Sequence, residues 1–384
     1  MKILHLMLAC FYVEKYSYQE NYLPKYHKAA GHEVEIVASR IAFSKNGVPG
    51  KLPAKYCARH LNEHGIPVTR LFNKPGRLDG RLRRFVGLQD ELERFQPDLI
   101  FIHGIQFCDI SIVAKYCKKH PNVKVFADNH ADFSNSATNW VSKNLVHRIL
   151  WRRCGHKIKK YVTRFYGVLP ARVDFLKEQY KLPAKKIELL VMGGDDESVI
   201  AAAKPEVRQE IRAKYNLAED DFVIMTGGKI DLFKTQTLML MQAVHRLEDK
   251  KVKLVVFGSI VPELQEQVHA LCDGEKVQYA GWIEAADSYA MFAAADLVVF
   301  PGRHSVFWEQ VASQGIPMLV KHWDGTTHVD RGGNVRFLYQ DSVEEIHNEL
   351  QKIVGGDYAA MKEAAKQASS HFLYSKIAKR SIED

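Results

Sequence analysis

Short apolar runs alternate along the chain with stretches whose apolar residues repeat at helical spacing. Near the beginning, residues 2–8 and 33–38 are apolar runs, and residues 19–30 between them carry apolar positions on one helical face. Strand, loop, helix and strand in this order predict a βαβ unit with parallel strands. The pattern starts again with a strand at residues 222–226 and a helix that reaches about residue 247. The sequence therefore predicts two successive α/β halves.

The position of the break between the halves follows from the same pattern. Residues 41–85 are predicted to be an irregular region because glycine and proline interrupt them, and residues 195–205 are predicted to contain the linker between the halves. A length of 384 residues suits two domains. The predicted domains are residues 1–198 and 199–365, and a C-terminal helix over residues 366–384 follows them. Further strands are predicted to end near residues 103, 127, 169, 192, 257, 300 and 320.

Composition indicates an ordinary globular protein with anionic partners. The apolar fraction is 46%, the charged fraction is 26%, and no apolar run approaches the length of a transmembrane helix. The N-terminal apolar run lacks a small-residue cleavage site, so it is predicted to be a strand rather than a signal peptide. Six cysteines without a C-x-x-C pair argue against a zinc or disulfide scaffold and fit a reducing, cytoplasmic compartment. The net charge of +9 favours phosphate-bearing ligands or an acidic membrane.

One stretch concentrates much of this positive charge. Residues 133–173 contain no acidic residue, and basic residues are frequent within residues 143–164. Trp151, Cys154, Ile158 and Tyr161 repeat there at helical spacing, which predicts a buried apolar stripe. Basic residues around a tryptophan on an amphipathic helix suit peripheral contact with an anionic membrane or with a lipid-diphosphate acceptor. A solvated basic face is the alternative, and the sequence leaves both open.

Two predicted strands deliver a histidine at their carboxyl ends. His103 ends one strand, and His130 follows the next, between Asp128 and Asp132. The carboxyl edge of a parallel sheet is where α/β enzymes hold their chemistry. We favour His130 as the functional histidine, because the two aspartates could orient its ring or change its pKa. A structural role is the alternative for either residue.

A second candidate is a phosphate-binding loop in the second half. Gly227, Gly228 and Lys229 follow a strand, and Lys234 stands at the predicted start of a helix. Glycines allow close approach of the backbone, a helix start offers free N–H groups, and lysines neutralise a diphosphate. The spacing is not that of a Walker A loop. Gly258 ends the neighbouring strand in the same way.

The stretch from Phe300 to Pro317 is the third candidate. The apolar run before it predicts a buried strand, Pro301 and Gly302 end that strand, and a short helix carries Glu309 before Gly315. A loop that joins a parallel strand to a helix is where α/β folds bind phosphorylated ligands. The stretch could also be an ordinary strand–helix unit of such a domain.

This stretch resembles the donor-site motif of GT-B glycosyltransferases, in particular the retaining, nucleotide-sugar-dependent enzymes called family 4 and their members of bacterial surface-polysaccharide type. Phe300-Pro301, Glu309 and Gly315-Ile316-Pro317 match the family motif in order. The family places a first glutamate eight residues before the second, and Pro301 occupies that position here. His304 or Ser305 is expected to replace the missing carboxylate.

The resemblance implies a fold and a reaction. The fold is α/β, with two Rossmann-like doubly wound domains facing across a cleft (GT-B) and a last helix that crosses back to the first domain. The reaction moves a hexose-type sugar from a nucleotide sugar, expected to be a UDP-sugar, to the hydroxyl of a glycan or lipid-linked acceptor with retention. No metal ion or other cofactor is expected, because cations and N–H groups would stabilise the leaving diphosphate. No nucleic-acid partner is expected, and the location is expected to be cytoplasmic, with peripheral contact at the inner face of the membrane.

The resemblance also implies roles for individual residues. Lys229 and Lys234 would hold the donor diphosphate beside Gly228 and Gly258. Glu309 would accept hydrogen bonds from the ribose, and His130 would lie near the reacting sugar. The residues predicted to contact the base or to form the donor loop are Trp282, Ile283, His304, Ser305, Val306 and Phe307.

Three alternatives to a transferase were weighed. A GT-B-shaped sugar-nucleotide epimerase would use the same donor pocket without an acceptor. A catalytically silent nucleotide-sugar-binding module is compatible with the missing first glutamate. A nicotinamide-dependent dehydrogenase is disfavoured, because no G-x-G-x-x-G follows the first strand.

Overall fold

The computed structural model describes residues 1–43, 49–232 and 235–383. It divides into two compact units: the first is Met1–Val191 together with the residues from Ile377 onward, and the second is Met192–Lys376. The predicted division lay after residue 198. The predicted linker is not a loop: Asp196–Ala202 and Pro205–Lys214 are helices of the second unit.

The first unit is built on a mainly parallel sheet. Within the described residues the sheet has eight strands in the order β10-β9-β8-β7-β1-β2-β6-β5, and β5 alone is antiparallel to its neighbour. The central strands are buried along almost their whole length, as expected for a parallel sheet covered on both faces. The strands of this unit are β1 Lys2–Met7, β2 Glu33–Ser39, β3 Ile41–Phe43, β4 Pro49–Lys51, β5 His60–Leu61, β6 Pro67–Leu71, β7 Leu99–His103, β8 Lys124–Asn129, β9 Val162–Gly167 and β10 Ile187–Leu189.

Helices cover this sheet and supply the rest of the core. The predicted stripe in the basic stretch is confirmed for Trp151, Cys154 and Ile158, which are all buried, whereas Tyr161 lies in the turn after the helix and is half-buried. The three buried residues lie on two consecutive helical segments, Ser142–Trp151 and Arg152–Ile158. The helices of this unit are α1 Gln19–Ala29, α2 Asp79–Leu82, α3 Leu88–Phe95, α4 Ile110–Lys119, α5 Arg152–Ile158 and α6 Pro170–Glu178.

Strand β6 lies inside the region that was predicted to be irregular. It pairs in parallel with β2 and so extends the main sheet. The hydrophobic pattern did not predict this strand, because the strand contains Arg70, a charged residue that is buried. The Arg70 guanidinium donates hydrogen bonds to the carbonyls of Tyr12 (3.2 Å) and Ser39 (3.0 Å), so a charge sits where the pattern calls for an apolar residue.

The second unit contains a parallel sheet with six strands among the described residues. Their order is β13-β12-β11-β14-β15-β16. Strand β11 pairs with β12 on one side and with β14 on the other, so the strand order reverses at β11. Ligands of doubly wound sheets bind beyond the carboxyl ends of the strands at such a reversal. The strands are β11 Phe222–Gly227, β12 Val252–Phe257, β13 Val277–Tyr279, β14 Leu297–Phe300, β15 Met318–Lys321 and β16 Val335–Leu338.

A partly buried ionic cluster fixes the start of β14. The Asp296 carboxylate accepts hydrogen bonds from Arg208 and Arg212, each at 2.7 Å, and from the Val223 N–H at 2.8 Å. This cluster joins a helix to two strands of the sheet. The helices of this unit are α7 Asp196–Ala202, α8 Pro205–Lys214, α9 Gln236–His245, α10 Gln265–Ala270, α11 Ser288–Ala293, α12 Phe307–Ser313, α13 Val343–Lys352 and α14 Tyr358–Ser369.

The end of the chain is not the single helix that was predicted over residues 366–384. Helix α14 ends at Ser369, a tight turn covers Ser370–Phe372, and a separate helix, α15, covers Tyr374–Ser381. The residues from Ile377 onward belong to the first unit. Across the described ranges, none of the helices combines the length and the apolar character that crossing a bilayer requires.

Candidate functional site

A pocket lies at the carboxyl ends of β11, β12 and β14 in the second unit, where the strand order reverses. The loop after β11, the first turn of α9 and the loop after β14 form its walls. Two of the three sequence candidates, the glycine–lysine loop and the stretch that begins at Phe300, therefore meet in one place. The lining residues are Thr226, Gly227, Gly228, Lys229, Ile230, Thr237, Val256, Phe257, Phe300, Pro301, Gly302, Arg303 and Ser305.

Glycine is favoured by the backbone at Gly228, which lines the pocket, and at Gly258 beside it, and at Gly258 it is also required by close packing of two loops. Gly228 has a φ of 127° and Gly258 a φ of 124°, both of which favour glycine. A Cβ added to Gly258 would lie 2.0 Å from the carbonyl oxygen of Gly228, whereas a Cβ on Gly228 would meet nothing within 4 Å. Gly228 also donates its N–H to the Phe257 carbonyl at 3.0 Å, which ties the two loops together. The space at the Cβ position of Gly228 is therefore open, whereas the same space at Gly258 is filled by the Gly228 loop.

Substitution of Gly258 by alanine tests this packing. We expect Gly258→Ala to lower the free energy of unfolding by about 1–3 kcal/mol more than Gly274→Ala does, because the added methyl group must displace the Gly228 loop. Gly274 is a matched control, since it also has a positive φ (76°) but has open space around its Cβ position. Urea unfolding of both variants measures the difference. Equal losses would show that the two loops separate without cost.

Two cations of the described residues line the pocket. The Lys229 side chain is 60% exposed, and its Nζ lies 3.9 Å from the Asp231 carboxylate. Arg303 also lines the pocket and was missed, although it stands two residues after Pro301 in the loop predicted to bind the donor. Lys234, predicted to be the second diphosphate ligand, lies outside the described residues.

Glu309 is the centre of a buried polar cluster behind this pocket. The residue is completely buried, and its Oε1 accepts hydrogen bonds from His304 Nε2 at 2.8 Å and from His328 Nε2 at 2.7 Å. Its Oε2 and the Nδ1 of His328 have no hydrogen-bond partner among the described residues. Burial alone would raise the pKa of Glu309, but the charges and hydrogen bonds of the two histidines outweigh it, so the pKa is lowered and the carboxylate stays ionised.

The same three side chains could hold a metal ion. One ligand atom from each of His304, Glu309 and His328 lies within 4.8 Å of the other two. Two imidazoles and one glutamate are the protein ligands of many catalytic zinc ions. Hydrogen bonds to the shared Oε1 already account for the orientation of both rings, so the geometry fits a hydrogen-bonded cluster as well as a metal site.

The other residues predicted for the donor site have different positions. Ser305 lines the pocket, Val306 directly precedes α12, and Phe307 packs against the ring of Phe257 at a centroid distance of 6.3 Å. Trp282, predicted to contact the base, is 66% exposed and donates to the Glu284 carboxylate at 3.3 Å. Neither Trp282 nor its neighbour Ile283 is among the lining residues of this pocket.

His328 is a member of the cluster that was not predicted. It lies in the short turn Thr327–Val329 after β15, and its side chain is 1% exposed. The sequence offered one signal, because His328 shortly precedes the turn-forming residues Gly332-Gly333-Asn334. Proximity to Glu309 could not be inferred from a separation of nineteen positions.

In the first unit, His130 is the accessible one of the two candidate histidines. Its side chain is 28% exposed, and its Nε2 lies 3.5 Å from Asp128 and 3.8 Å from Glu20. Burial lowers the pKa of His130, but the negative charges of Glu20 and Asp128 raise it by more than burial lowers it, so the net shift is upward. His103 is completely buried, and its Nδ1 lies 2.9 Å from Asp128. Asp132 does not orient His130 as predicted, because its carboxylate binds the N–H groups of its own turn and Arg172.

A second pocket, in the first unit, is positively charged. Its two acids already contact cations: Asp79 lies 3.5 Å from Arg84, and Asp109 lies 3.6 Å from Lys74. Arg153 and Lys157, one turn apart on α5, therefore leave the pocket with a positive balance. Its lining residues are Lys74, Asp79, Leu82, Arg84, Cys108, Asp109, Ser111, Leu150, Arg153, Cys154 and Lys157.

Comparison with known proteins supports the predicted resemblance. Residues 221–356 match the family model of the glycosyl transferases group 1. A mannosylfructose-phosphate synthase of Agrobacterium fabrum is 26% identical over 187 residues, which are 45% of this chain and 38% of that protein. The chain therefore spans well under half the length of this curated relative.

Solved structures show the fold over the whole chain. HepE of Anabaena, solved in complex with UDP, has a TM-score of 0.67 and 18% identity, with 99% of this chain and 98% of that chain covered. WaaG, a glycosyltransferase involved in lipopolysaccharide biosynthesis, has a TM-score of 0.64 and 14% identity over the full length of both chains. The predicted α/β fold of GT-B type and the resemblance to GT-B glycosyltransferases are confirmed. Membership of family 4 stays a prediction.

Proposed function

We propose that this protein transfers a hexose-type sugar from a nucleotide sugar, with a UDP-sugar as the expected donor, to the hydroxyl of a glycan or lipid-linked acceptor, with retention and without a metal ion. The observation that carries the proposal is the pocket at the reversal of strand order in the second unit. The pocket lies within the residues that match the glycosyl transferases group 1. The similarity to HepE, which was solved with UDP, supports a nucleotide-sugar donor.

The cations of the pocket fit the charge that develops during sugar transfer. The leaving nucleoside diphosphate gains negative charge as the bond to the sugar breaks, and positioned cations stabilise that charge without a metal ion. Lys229 and Arg303 both line the pocket, and the open space beside Gly228 allows a phosphate to approach the backbone there. Lys234 keeps its predicted role as a further diphosphate ligand.

The buried cluster suggests a refined role for Glu309. The predicted contact between this carboxylate and the ribose would require a completely buried group to meet the ligand. His304 is the more exposed partner, with 12% of its side chain accessible. We therefore assign the ligand contact to His304, in place of the first glutamate of the family motif. Glu309 then holds the His304 ring in position, and His328 holds Glu309.

The first unit supplies the groups proposed for the acceptor side. His130 keeps its predicted place near the reacting sugar, because its exposed ring next to two carboxylates can orient or polarise a hydroxyl group. The positive pocket that contains Arg153 and Lys157 suits an acceptor that carries phosphate. Both cations belong to the basic stretch, residues 143–164, for which peripheral contact with an anionic membrane is proposed.

A donor-hydrolysis assay tests the proposed function. We expect the protein to release nucleoside diphosphate from one member of a panel of UDP-, GDP- and dTDP-sugars, and we expect EDTA to leave the rate unchanged. Loss of activity in EDTA and recovery with zinc would assign a metal to His304, Glu309 and His328 and would contradict the metal-independent mechanism. Lys234→Ala is expected to abolish the release.

The same assay separates the alternatives. Isomerised sugar without an acceptor would identify an epimerase. Saturable binding of UDP with no turnover, even after lipid-linked sugar acceptors are added, would identify a silent binding module. Absence of nucleotide binding would overturn the proposal altogether.

A further inference from the structure

Three buried histidines of the first unit form a continuous polar chain. His103 Nε2 lies 2.9 Å from His5 Nδ1, and His5 Nε2 lies 3.0 Å from His27 Nδ1. At one end, His103 Nδ1 lies 2.9 Å from the Asp128 carboxylate. At the other end, His27 Nε2 lies 2.9 Å from the carbonyl oxygen of Ala378. We call this series of contacts, which runs from the Asp128 carboxylate through the three rings to the Ala378 carbonyl, the histidine chain.

The three rings of the histidine chain are buried and stack on one another. His103 and His5 have no exposed surface, and His27 is 1% exposed. The rings stack on one another, with centroid distances of 5.2 Å between His5 and His103 and 5.1 Å between His5 and His27. Neighbouring strands β1 and β7 carry two members, and α1 carries the third. Because no ring surface is open to water, the nitrogens depend on one another and on the groups at the two ends. Of the six ring nitrogens, His103 Nδ1 alone lacks an aligned hydrogen bond among the described residues and has only the nearby Asp128 carboxylate.

The number of protons in the chain follows from its two ends. At this end His27 Nε2 contacts the Ala378 carbonyl at 2.9 Å and the Ser381 hydroxyl at 3.1 Å. The hydroxyl donates its one proton to the same Ala378 carbonyl at 2.8 Å, and a carbonyl can only accept, so His27 Nε2 carries a proton. Each of the two contacts between rings needs one proton. His103 Nδ1 lies 2.9 Å from an Asp128 oxygen without the alignment of a hydrogen bond. At this distance the carboxylate attracts a protonated ring and repels an unprotonated nitrogen, so this atom also carries a proton. Four contacts therefore need four protons, and three neutral imidazoles supply only three.

One imidazole of the chain is consequently charged when Asp128 is ionised. Burial lowers the pKa of His27 to about 3 and holds the pKa of His5 well below its usual range. Burial would raise the pKa of Asp128, but the charges of His103 and His130 and their hydrogen bonds lower it below its ordinary value. The excess proton is therefore best placed on the ring next to the carboxylate.

We propose that His103 is a permanent imidazolium, held between Asp128 and the neutral rings of His5 and His27, and that this pair positions Asp128 beside His130. His103 is then a positioning residue that acts through Asp128. The other groups that face this end of the chain are Glu20, 3.8 Å from His130, the Cys10 thiol and Arg172, which acts electrostatically on His130. The importance of His130 to catalysis rests on the proposed function, whereas the protonation of His103 does not.

Nuclear magnetic resonance of the full-length chain with ¹⁵N-labelled histidine tests the proposal. We expect two protonated nitrogens on His103 throughout the range from about pH 5 to pH 8, in which a free imidazole titrates. His5 and His27 are each expected to show one protonated and one unprotonated nitrogen. Signals are assigned from single His→Gln variants. A His103 ring with only one protonated nitrogen would overturn the proposal.

A matched pair of variants tests the coupling to Asp128. In Asp128→Asn the amide can donate to His103, so we expect His103 to lose its second proton and the pKa of His130 to fall by about 1 unit or more. Asp132→Asn makes the same change four residues away, where the carboxylate contacts Arg172, and is expected to leave His103 doubly protonated. A His130 titration that is the same in both variants would overturn the positioning role. The ¹⁵N signals of His103 and His130 test the protonation of His103 and the role of Asp128 even if the protein turns over no nucleotide sugar.

Discussion

Replacement of Lys229 by alanine is expected to lower kcat for sugar transfer by about 100- to 1,000-fold, which is the usual loss when one preorganised group that stabilises a developing anion is removed. Lys229 lines the pocket, and its side chain is 60% exposed with its Nζ 3.9 Å from Asp231. The attraction of the ammonium group to Asp231 is thus weak, and the side chain can turn toward a diphosphate. Because the charge on the leaving group grows in the transition state, kcat is expected to fall more than KM rises.

Steady-state kinetics with the donor found in the panel measure this effect. Lys352→Ala is the control, since Lys352 is an exposed lysine of α13 whose only described ion pair is with Glu349, one turn away on the same helix. Its removal should leave kcat unchanged. A Lys229→Ala enzyme with wild-type kcat and a raised KM would show that Lys229 binds the ground state only, and the proposed stabilisation of the leaving group would then be wrong.

Replacement of Glu309 by alanine is expected to impair both stability and donor use. It would leave the buried N–H groups of His304 and His328 without their acceptor, at a cost of about 1–3 kcal/mol of unfolding free energy for each. Loss of the group that orients His304 is expected to lower kcat/KM by about 10- to 150-fold, which corresponds to one hydrogen bond to a charged group.

Glu309→Gln separates the two effects. The amide keeps an oxygen that can accept from both rings but removes the charge, so we expect most of the stability to remain. Since the folded-state pKa of Glu309 is lowered, the stability that its charge contributes is present above its ordinary pKa and is lost as the pH falls through the lowered value. The difference in unfolding free energy between wild type and Glu309→Gln should therefore be constant near neutrality and shrink only in strong acid. Equal unfolding free energies of wild type and Glu309→Gln at pH 7 would contradict a stabilising charge on Glu309.

The alternating pattern predicted the architecture because local sequence decides it. Apolar runs predicted β1, β2, β11 and β14 close to their observed positions, since a buried parallel strand must be apolar on both faces. The pattern failed where a polar residue is buried with partners distant in sequence. Strand β6 was missed for this reason, because Arg70 finds its acceptors on Tyr12 and Ser39.

The candidate site was predictable only where its residues share a loop. Gly228, Lys229 and Ser305 were found because each follows a strand at the carboxyl edge of the sheet. The contact between Glu309 and His328 was not, since it depends on where the turn after β15 places a side chain. The histidine chain was hidden more completely. Each of its members looks in the sequence like a single histidine within an apolar or helical stretch, and only the fold aligns them.

The division of the first unit into two separate stretches of chain has a consequence for its synthesis. The second unit is one continuous segment, whereas the first is completed only by the residues from Ile377 onward. On the ribosome, the carbonyl of Ala378 that accepts the hydrogen bond of His27 Nε2 is therefore made only after the whole second unit. The nascent first unit must wait, with the end of its histidine chain uncapped, until the whole second unit has been translated. Domains generally fold as units in the order of their synthesis, and here the unit that begins first is the one that finishes last.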